Sequence, residues 1–488
     1  TEWLSSLSYI LGGNYAQQEL NDSWECVLLH QFHDIIPGSS IHEVYADSRI
    51  NYGVAKARME KVREAAVDSL TKGTENCWSI YTTNSFAGKE LVSIPERREG
   101  SFTDKEGKVL SSQRTADGYE VLVETVPFGI TEVLFTEGET KSESPFVLNG
   151  NTLETPYYTL QWNENGQLMM IYDKKADRQV LREGQLGNVL EIYEDKPIMY
   201  DAWDIDIFYT QKMETAVMSG TPEVIEDGAQ KMTLRFQYPY HKSEIVQDMV
   251  VYAENGRIDF VTHVDWHESH RLLKTAFYTD IRSTKATYDI QFGHVERPTH
   301  WNNSWDWARF EVCGHKWADL SEEGYGVSLL NDCKYGYNIK DNAVKLSLLK
   351  SAKYPDTEAD MGEHDFIYAL YPHQGSVIEG GVIEEANYLN LPAKAVRGAF
   401  ADNRRIVCLD GEGVQIDAVK KAEDDNAIVV RFHECRGGHR KVTLFSEFDV
   451  KKFVPCNLLE HDCGEAMEKD CAEFTLHPFE IKTVKLYF

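Results

Sequence analysis

The run His30-Gln31-Phe32-His33-Asp34-Ile35-Ile36-Pro37-Gly38-Ser39-Ser40 places a histidine and an aspartate side by side where one helix should stop and another begin. A helix end that delivers His33 and Asp34 together to a cleft would offer one soft nitrogen ligand and one carboxylate, for a metal or for a polar substrate. A single imidazole cannot hold a catalytic metal, which takes about three protein ligands and an open position. No other stretch supplies a convincing set. The pair therefore reads as part of an active site rather than the whole of one. The competing reading, a capping or core histidine beside a solvated acid, stays open.

Other residues compete for attention. In an extended strand, Asp201 and Trp203 would face one way and Ala202 and Asp204 the other, setting an acceptor beside a flat apolar plate; burial of Trp203 is equally open. The region from His294 to Asp306 is dense in polar and aromatic groups, suited either to locking two sheets together or to substrate contact. His315, His364 and His373 read as structural. Cys456, His461, Cys463 and Cys471 lack the Cys-x-x-Cys knuckle of a structural zinc site and read as shielded free thiols.

The elements that must position these residues fall into two classes. Residues 1 to about 72 are helical in pattern: Trp3, Leu4, Leu7 and Ile10 recur before Gly12-Gly13, and a second helix is predicted from about Ala16 to Ile36, with Leu20, Trp24, Val27, Leu28, Phe32 and Ile35 on one side. Ser40-Ile41-His42-Glu43 reads as a capping box opening a third helix, about 48 Å long, that holds its period until Lys72-Gly73. Short connections make an antiparallel three-helix bundle the economical arrangement. After Cys77 the period becomes two. Tyr119 to Val126 alternates and turns into Thr131 to Phe135, a polar stretch from Glu137 to Ser144 reads as a linker, and Asn165-Gly166 and Asn255-Gly256 mark hairpins. The expected fold is mainly β with an N-terminal helical part: the three-helix bundle (1-75), a small β-sandwich (76-145), a large β-sandwich (146-392) and a C-terminal β-sandwich (393-488), stacked and antiparallel.

Composition excludes some functions. With 79 acidic and 50 basic side chains the formal charge is -29, a field that repels phosphate backbones and anionic lipid, so neither nucleic acid nor a membrane surface is expected as partner. No apolar run approaches the ~20 residues of a membrane span, and no signal-peptide pattern opens the chain. Nine scattered cysteines without paired rhythm favour a reduced, cytoplasmic compartment. The start at Thr1 agrees with a processed chain or with missing upstream sequence.

The stretch from Trp24 to Tyr45 resembles the C-terminal edge of the active site in the α-mannosidases of glycoside hydrolase family 38, in their cytosolic and bacterial branch. The resemblance continues in order through Asp-Ala-Trp-Asp (201 to 204), Val-Asp-Trp-His-Glu (264 to 268), Phe-Gly-His-Val-Glu-Arg-Pro-Thr-His (292 to 300), Ser-Trp-Asp (304 to 306), His-Lys-Trp-Ala-Asp-Leu-Ser-Glu (315 to 322) and the segment 362 to 373. It covers essentially the whole chain.

The resemblance implies a retaining exo-α-mannosidase that hydrolyses terminal α-mannosyl residues of oligosaccharides with zinc in the active site. His33 matches one zinc ligand and Asp34 a sugar-binding position. Asp201, Trp203 and Asp204 match a segment that the β region contributes to the sugar pocket. A retaining mechanism needs two carboxyl groups about 5 to 5.5 Å apart. In the family these belong, with the other zinc ligands, to an N-terminal α/β domain that has no counterpart in the 32 residues before His33. His263-Val264-Asp265 spells a family zinc motif but falls in a β pattern and reads as structural. The expectation is that the chain alone neither binds zinc tightly nor cleaves mannosides, and that it exposes an apolar patch beside His33 where the N-terminal catalytic domain packs. A homo-oligomer stays open. The rival function is a non-catalytic carbohydrate-binding or scaffold β-sandwich protein.

Overall fold

A computed structural model describes residues 1–139 and 143–488. Three helices open the chain: α1 (Glu2–Ile10), α2 (Gln17–Leu29) and α3 (His42–Leu70). Along α3, rich in the strong helix formers Ala, Lys, Arg and Glu, Ser48, Ala55, Val62, Ala66 and Leu70 form the buried stripe. At about 1.5 Å per residue its 29 residues span roughly 43 Å. Arg58 meets Asp22 at 3.8 Å, and Ser48 meets His30 at 3.1 Å, so α2 and α3 run antiparallel. The helices have no core of their own. Trp3, Leu4 and Leu7 of α1, with Ala66 and Leu70, join the apolar cluster of the C-terminal sandwich around Val414, Ile416 and Phe432.

Two details of the helical part depart from expectation. α2 ends seven residues early, and its chain passes through successive turns from His30 to Ser39. The expected capping box does not form: the helix N-cap is Ile41, and no side chain caps it. Ser40 N–H donates instead to the Tyr45 hydroxyl at 2.7 Å, so the tertiary partner wins over the local one.

From Cys77 onward the chain is mainly β, with short helices at Ser304–Trp307 and Val382–Asn390, and among the described residues every pairing between strands is antiparallel. A five-stranded and a three-stranded sheet enclose Trp78, Val92, Phe102, Tyr119, Val121 and Phe135. In the strand Tyr119–Thr125 the inward positions alternate, as the sequence period demands. A strand from far along the chain, Lys394–Arg397, pairs with Cys77–Thr82 at the edge of this sheet. The large β region combines five-, six- and nine-stranded sheets around one core. Both predicted hairpins form: Tyr158–Trp162 pairs with Leu168–Asp173, with Gly166 at φ +78°, and Ser243–Tyr252 pairs with Ile258–Trp266. Three- and four-stranded sheets make the C-terminal sandwich. Of the polar stretch 137–144, residues 140–142 lie outside the described residues.

Candidate functional site

The turn after α2 is held by two residues that the sequence pattern did not single out as supports. His30 is buried, with Nδ1 3.1 Å from Ser48 Oγ and its ring 4.8 Å from that of Tyr52. The Tyr45 hydroxyl accepts from Ser40 N–H and donates toward the Asp34 carbonyl at 3.3 Å, pinning the turn at both ends. Burial, then the nearby carboxylates Asp356, Asp34 and Asp360, push the Tyr45 phenol above its ordinary pKa, so it stays a donor at neutral pH.

Between these supports His33 points outward. Its side chain is 75% exposed, Nε2 lies 3.5 Å from Asp34 Oδ2, and its ring rests on Phe32 at 4.3 Å. His30 and His33 therefore do not share a role: one anchors, the other is presented. On the same helix end, turn and following helix, Trp24, Leu28, Phe32, Ile36, Ile41 and Ile50 are all exposed. The expected inward stripe of α2 is thus only partly inward. Leu20 is buried, whereas Trp24, Leu28 and Phe32 face solvent, because no described element covers them.

Asp201, Trp203 and Asp204 do not lie on a strand, which corrects the expected alternation of faces. The chain turns at Tyr200, whose carbonyl accepts from Trp203 N–H at 2.8 Å and Asp204 N–H at 2.9 Å. Asp201 is fastened to the body: its carboxylate accepts from Lys353 N–H at 2.5 Å and sits 3.5 Å from His270 Nδ1, and its carbonyl accepts from Lys350 Nζ at 2.9 Å. Trp203 is exposed, its ring 6.2 Å from that of Tyr200. The two candidate segments share one groove of about 630 Å³, which Pro37, Gly38 and Tyr45 line from one side and Ala202, Asp356 and His364 from others. His33, Asp34, Asp201, Trp203 and Asp204 stand outside its lining. His42 Nδ1 of α3 meets Asp356 Oδ1, of the groove's lining, at 3.2 Å.

The loop that carries Trp203 rests on a buried ionic network with no local sequence signal. On the outer face of the six-stranded sheet, Lys274 is fully buried with Nζ 2.5 Å from Glu311 Oε1, which also accepts from the Tyr209 hydroxyl at 2.5 Å. Next to it, Glu191 accepts from Tyr193 and Tyr278 at 2.6 Å and from Lys345 at 2.7 Å. Burial drives the Lys274 ammonium below its usual pKa, against the pull of Glu311.

The remaining candidates are placed as follows. His263 and Asp265 lie within the strand Ile258–Trp266 with separate partners, Asp365 at 2.8 Å and His267 at 2.7 Å. The hydrogen bond to Asp365 raises the His263 pKa. His294 packs between Trp317 and Phe479, joining the large and C-terminal sandwiches, whereas Trp305 is exposed. His373 and Asp319 form a buried pair at 2.8 Å, His364 meets the Asp360 carbonyl at 3.1 Å, and the His315 ring lies 5.0 Å from that of Tyr335, tilted by 42°. All nine cysteines are free; Cys456 is buried, but Cys463 is exposed, contrary to the expected shielding.

A metal fits this chain only in part. The exposed Nε2 of His33 is a suitable single donor, but among the described residues no three His, Cys, Asp or Glu side chains converge on one point. A closed shell would need donors from elsewhere.

Three family descriptions match in order along the chain: "Alpha mannosidase middle domain" over residues 1–70, "Glycosyl hydrolases family 38 C-terminal domain" over 153–358, and "Glycosyl hydrolases family 38 C-terminal beta sandwich domain" over 413–484. Alpha-mannosidase G of Dictyostelium discoideum is 32% identical, over 99% of this chain and 49% of that protein. Alpha-mannosidase 2C1 of Homo sapiens is 31% identical, over 99% and 47%. The chain thus spans about half the length of the curated relatives it matches. An alpha-mannosidase from Enterococcus faecalis V583 shares the fold, with a TM-score of 0.81 at 17% identity over 99% of this chain and 65% of that one. Similar throughout to relatives above 30% identity, and matched in order by three descriptions of one family's middle and C-terminal parts, the chain belongs to glycoside hydrolase family 38.

Proposed function

We propose that this chain is the helical and β-sandwich part of a zinc-dependent retaining exo-α-mannosidase that removes terminal α-mannosyl residues from oligosaccharides, and that it is inactive alone. The observation that carries the reading is the exposed His33 imidazole beside Asp34, in a turn braced by buried His30 and half-buried Tyr45 and flanked by exposed apolar side chains such as Phe32 and Ile36. An N-terminal catalytic domain, in the half of the relatives' length that this chain does not span, would cover those side chains and bring the nucleophile, the acid/base carboxylate and the other zinc donors. His33 would supply one metal ligand. When bound, zinc would gather sugar hydroxyls and polarise them.

The chain's own residues have positional roles in this scheme. Asp34 would accept from a sugar hydroxyl, and Trp203 would offer its exposed ring to a sugar face, with Asp204 on the same turn as a second acceptor. Asp201, whose carboxylate is engaged by Lys353 N–H, would chiefly hold that turn. The same proposal divides the chain at about 75, 145 and 392. The strand Lys394–Arg397, at the head of the last segment, pairs with the small sandwich rather than with the C-terminal one. Free cysteines throughout support a reducing, cytoplasmic setting. No helix among the described residues is long and apolar enough to cross a membrane.

Two measurements test this. The isolated chain, given zinc and an aryl α-mannoside, should release no aglycone and retain no zinc through gel filtration; turnover would overturn the division of labour. In the full-length protein, His33→Ala should lower both zinc content and kcat, the latter by at least about 100-fold. Unchanged zinc content would remove His33 from the site.

A further inference from the structure

A second cavity, of about 270 Å³, lies where the large sandwich, the helix Val382–Asn390 and the C-terminal sandwich meet, and shares no residue with the groove beside the His33 turn. Its central group is His433, 4% exposed, whose Nδ1 is 2.9 Å from both oxygens of Asp417. Among the described residues only Nδ1 is engaged, which leaves Nε2 of a buried ring free in the wall of an open space. Asp289, also in the lining, accepts from Lys316 N–H through Oδ2, at 3.0 Å. Asn387 donates to Gln415 Oε1 at 3.3 Å and accepts from Lys316 Nζ at 3.4 Å, so the Gln415 amide and the Lys316 ammonium keep donor capacity. Phe292 and Trp317 supply the apolar part of the lining, and Trp317 is held in place by His294.

The chemistry of this wall selects its ligand. Two carboxylates face one ammonium and two imidazoles, those of His315 and His433, so neither an anion nor a metal cation meets a site of opposite charge. Interspersed acceptors and donors suit hydroxyl groups, each of which gives and takes a hydrogen bond. Aromatic edges suit the C–H face of a sugar ring. The volume falls just below the ~300 to 1,000 Å³ of pockets for drug-sized ligands, which limits the occupant to one ring. We propose that this junction cavity is a separate binding site for a single neutral pyranose, independent of the catalytic reading above.

The test titrates methyl α-D-mannoside into the 488-residue chain and follows the ring 13Cε1 resonance of His433, assigned by its loss in His433→Gln. A saturable shift in the millimolar range is expected, weakened at least about tenfold in Gln415→Leu and in Asp417→Asn, the second variant preserving shape should the first fail to fold. A linear mannotriose should not produce the shift, being longer than the cavity. Absence of any shift up to about 100 mM would overturn the proposal, as would a shift that both variants leave unchanged or one that inorganic phosphate reproduces. Trp203→Ala, on the exposed turn beside the other groove, should leave the titration unaltered, which separates failure of this site from failure of the mannosidase reading.

Discussion

The Tyr45 hydroxyl is bonded to Ser40 N–H at 2.7 Å and lies 3.3 Å from the Asp34 carbonyl, so one oxygen ties down both ends of the segment that presents His33. Tyr45→Phe keeps the ring and its packing but leaves the Ser40 amide without its partner, a loss of about 1 to 2 kcal/mol. The expected outcome is amide exchange across residues 34 to 40 at least about tenfold faster, with the strands of the sandwiches unaffected; uniform exchange throughout would show that the turn is held by something else. The His33-Asp34 pair was legible in the sequence because the two residues are adjacent and flanked by a helix stop. Tyr45 was not, because its hydroxyl acts across eleven positions through a turn whose path no local period encodes. The same holds for Asp201, which reads as one side of a strand until the Lys353 amide that bends its segment is known.

At the level of elements, the loop that carries Trp203 is anchored by Tyr209 onto the Lys274–Glu311 pair, beside a small apolar cluster of Tyr193, Tyr209 and Leu272 against which Ile205 packs. Helices and hairpins were legible because period and turn residues are local signals, and both Asn-Gly hairpins formed where expected. The end of α2 was not, since His30 leaves the helix to reach Ser48, a contact invisible to helical spacing. Nor was the ionic network, because Lys274 looks like an ordinary polar position in a strand whose outer face is covered only by a distant loop. Glu311→Gln would strand a fully buried ammonium without its countercharge, and it should cost about 3 to 5 kcal/mol in urea unfolding. Lys274→Met leaves the Glu311 carboxylate, which is slightly exposed and still accepts from the Tyr209 hydroxyl, so it should cost less. The reverse order of the two variants would contradict the assignment of Lys274 as the charged, dependent member.

Across the whole molecule, the chain is fastened to itself between segments some three hundred residues apart, and Glu96 is the clearest fastening. Its carboxylate accepts from Arg98 Nε at 3.0 Å and Nη2 at 2.7 Å and from Arg397 Nη2 at 3.1 Å, clasping the returning strand Lys394–Arg397 onto the small sandwich. The Arg98 hydrogen bond, reinforced by Arg397, pulls the Glu96 pKa down to about 2, against the opposing effect of burial. A carboxyl whose pKa is lower folded than unfolded stabilises the fold above its unfolded value, near 4.3 to 4.5, and loses that contribution as pH falls toward 2. The shift bounds the contribution at about 3 kcal/mol at neutral pH. Glu96→Gln should therefore lower unfolding stability by up to that amount at pH 7, and the gap between variant and parent should shrink by more than half at pH 3, where the unfolded parent has taken up the proton that the variant never binds. The comparison cancels the acid sensitivity of the other carboxylates, because both proteins carry them. A gap that stays constant from pH 7 to pH 3 would mean that Glu96 acts through shape alone and that the clasp between the two distant segments does not depend on its charge.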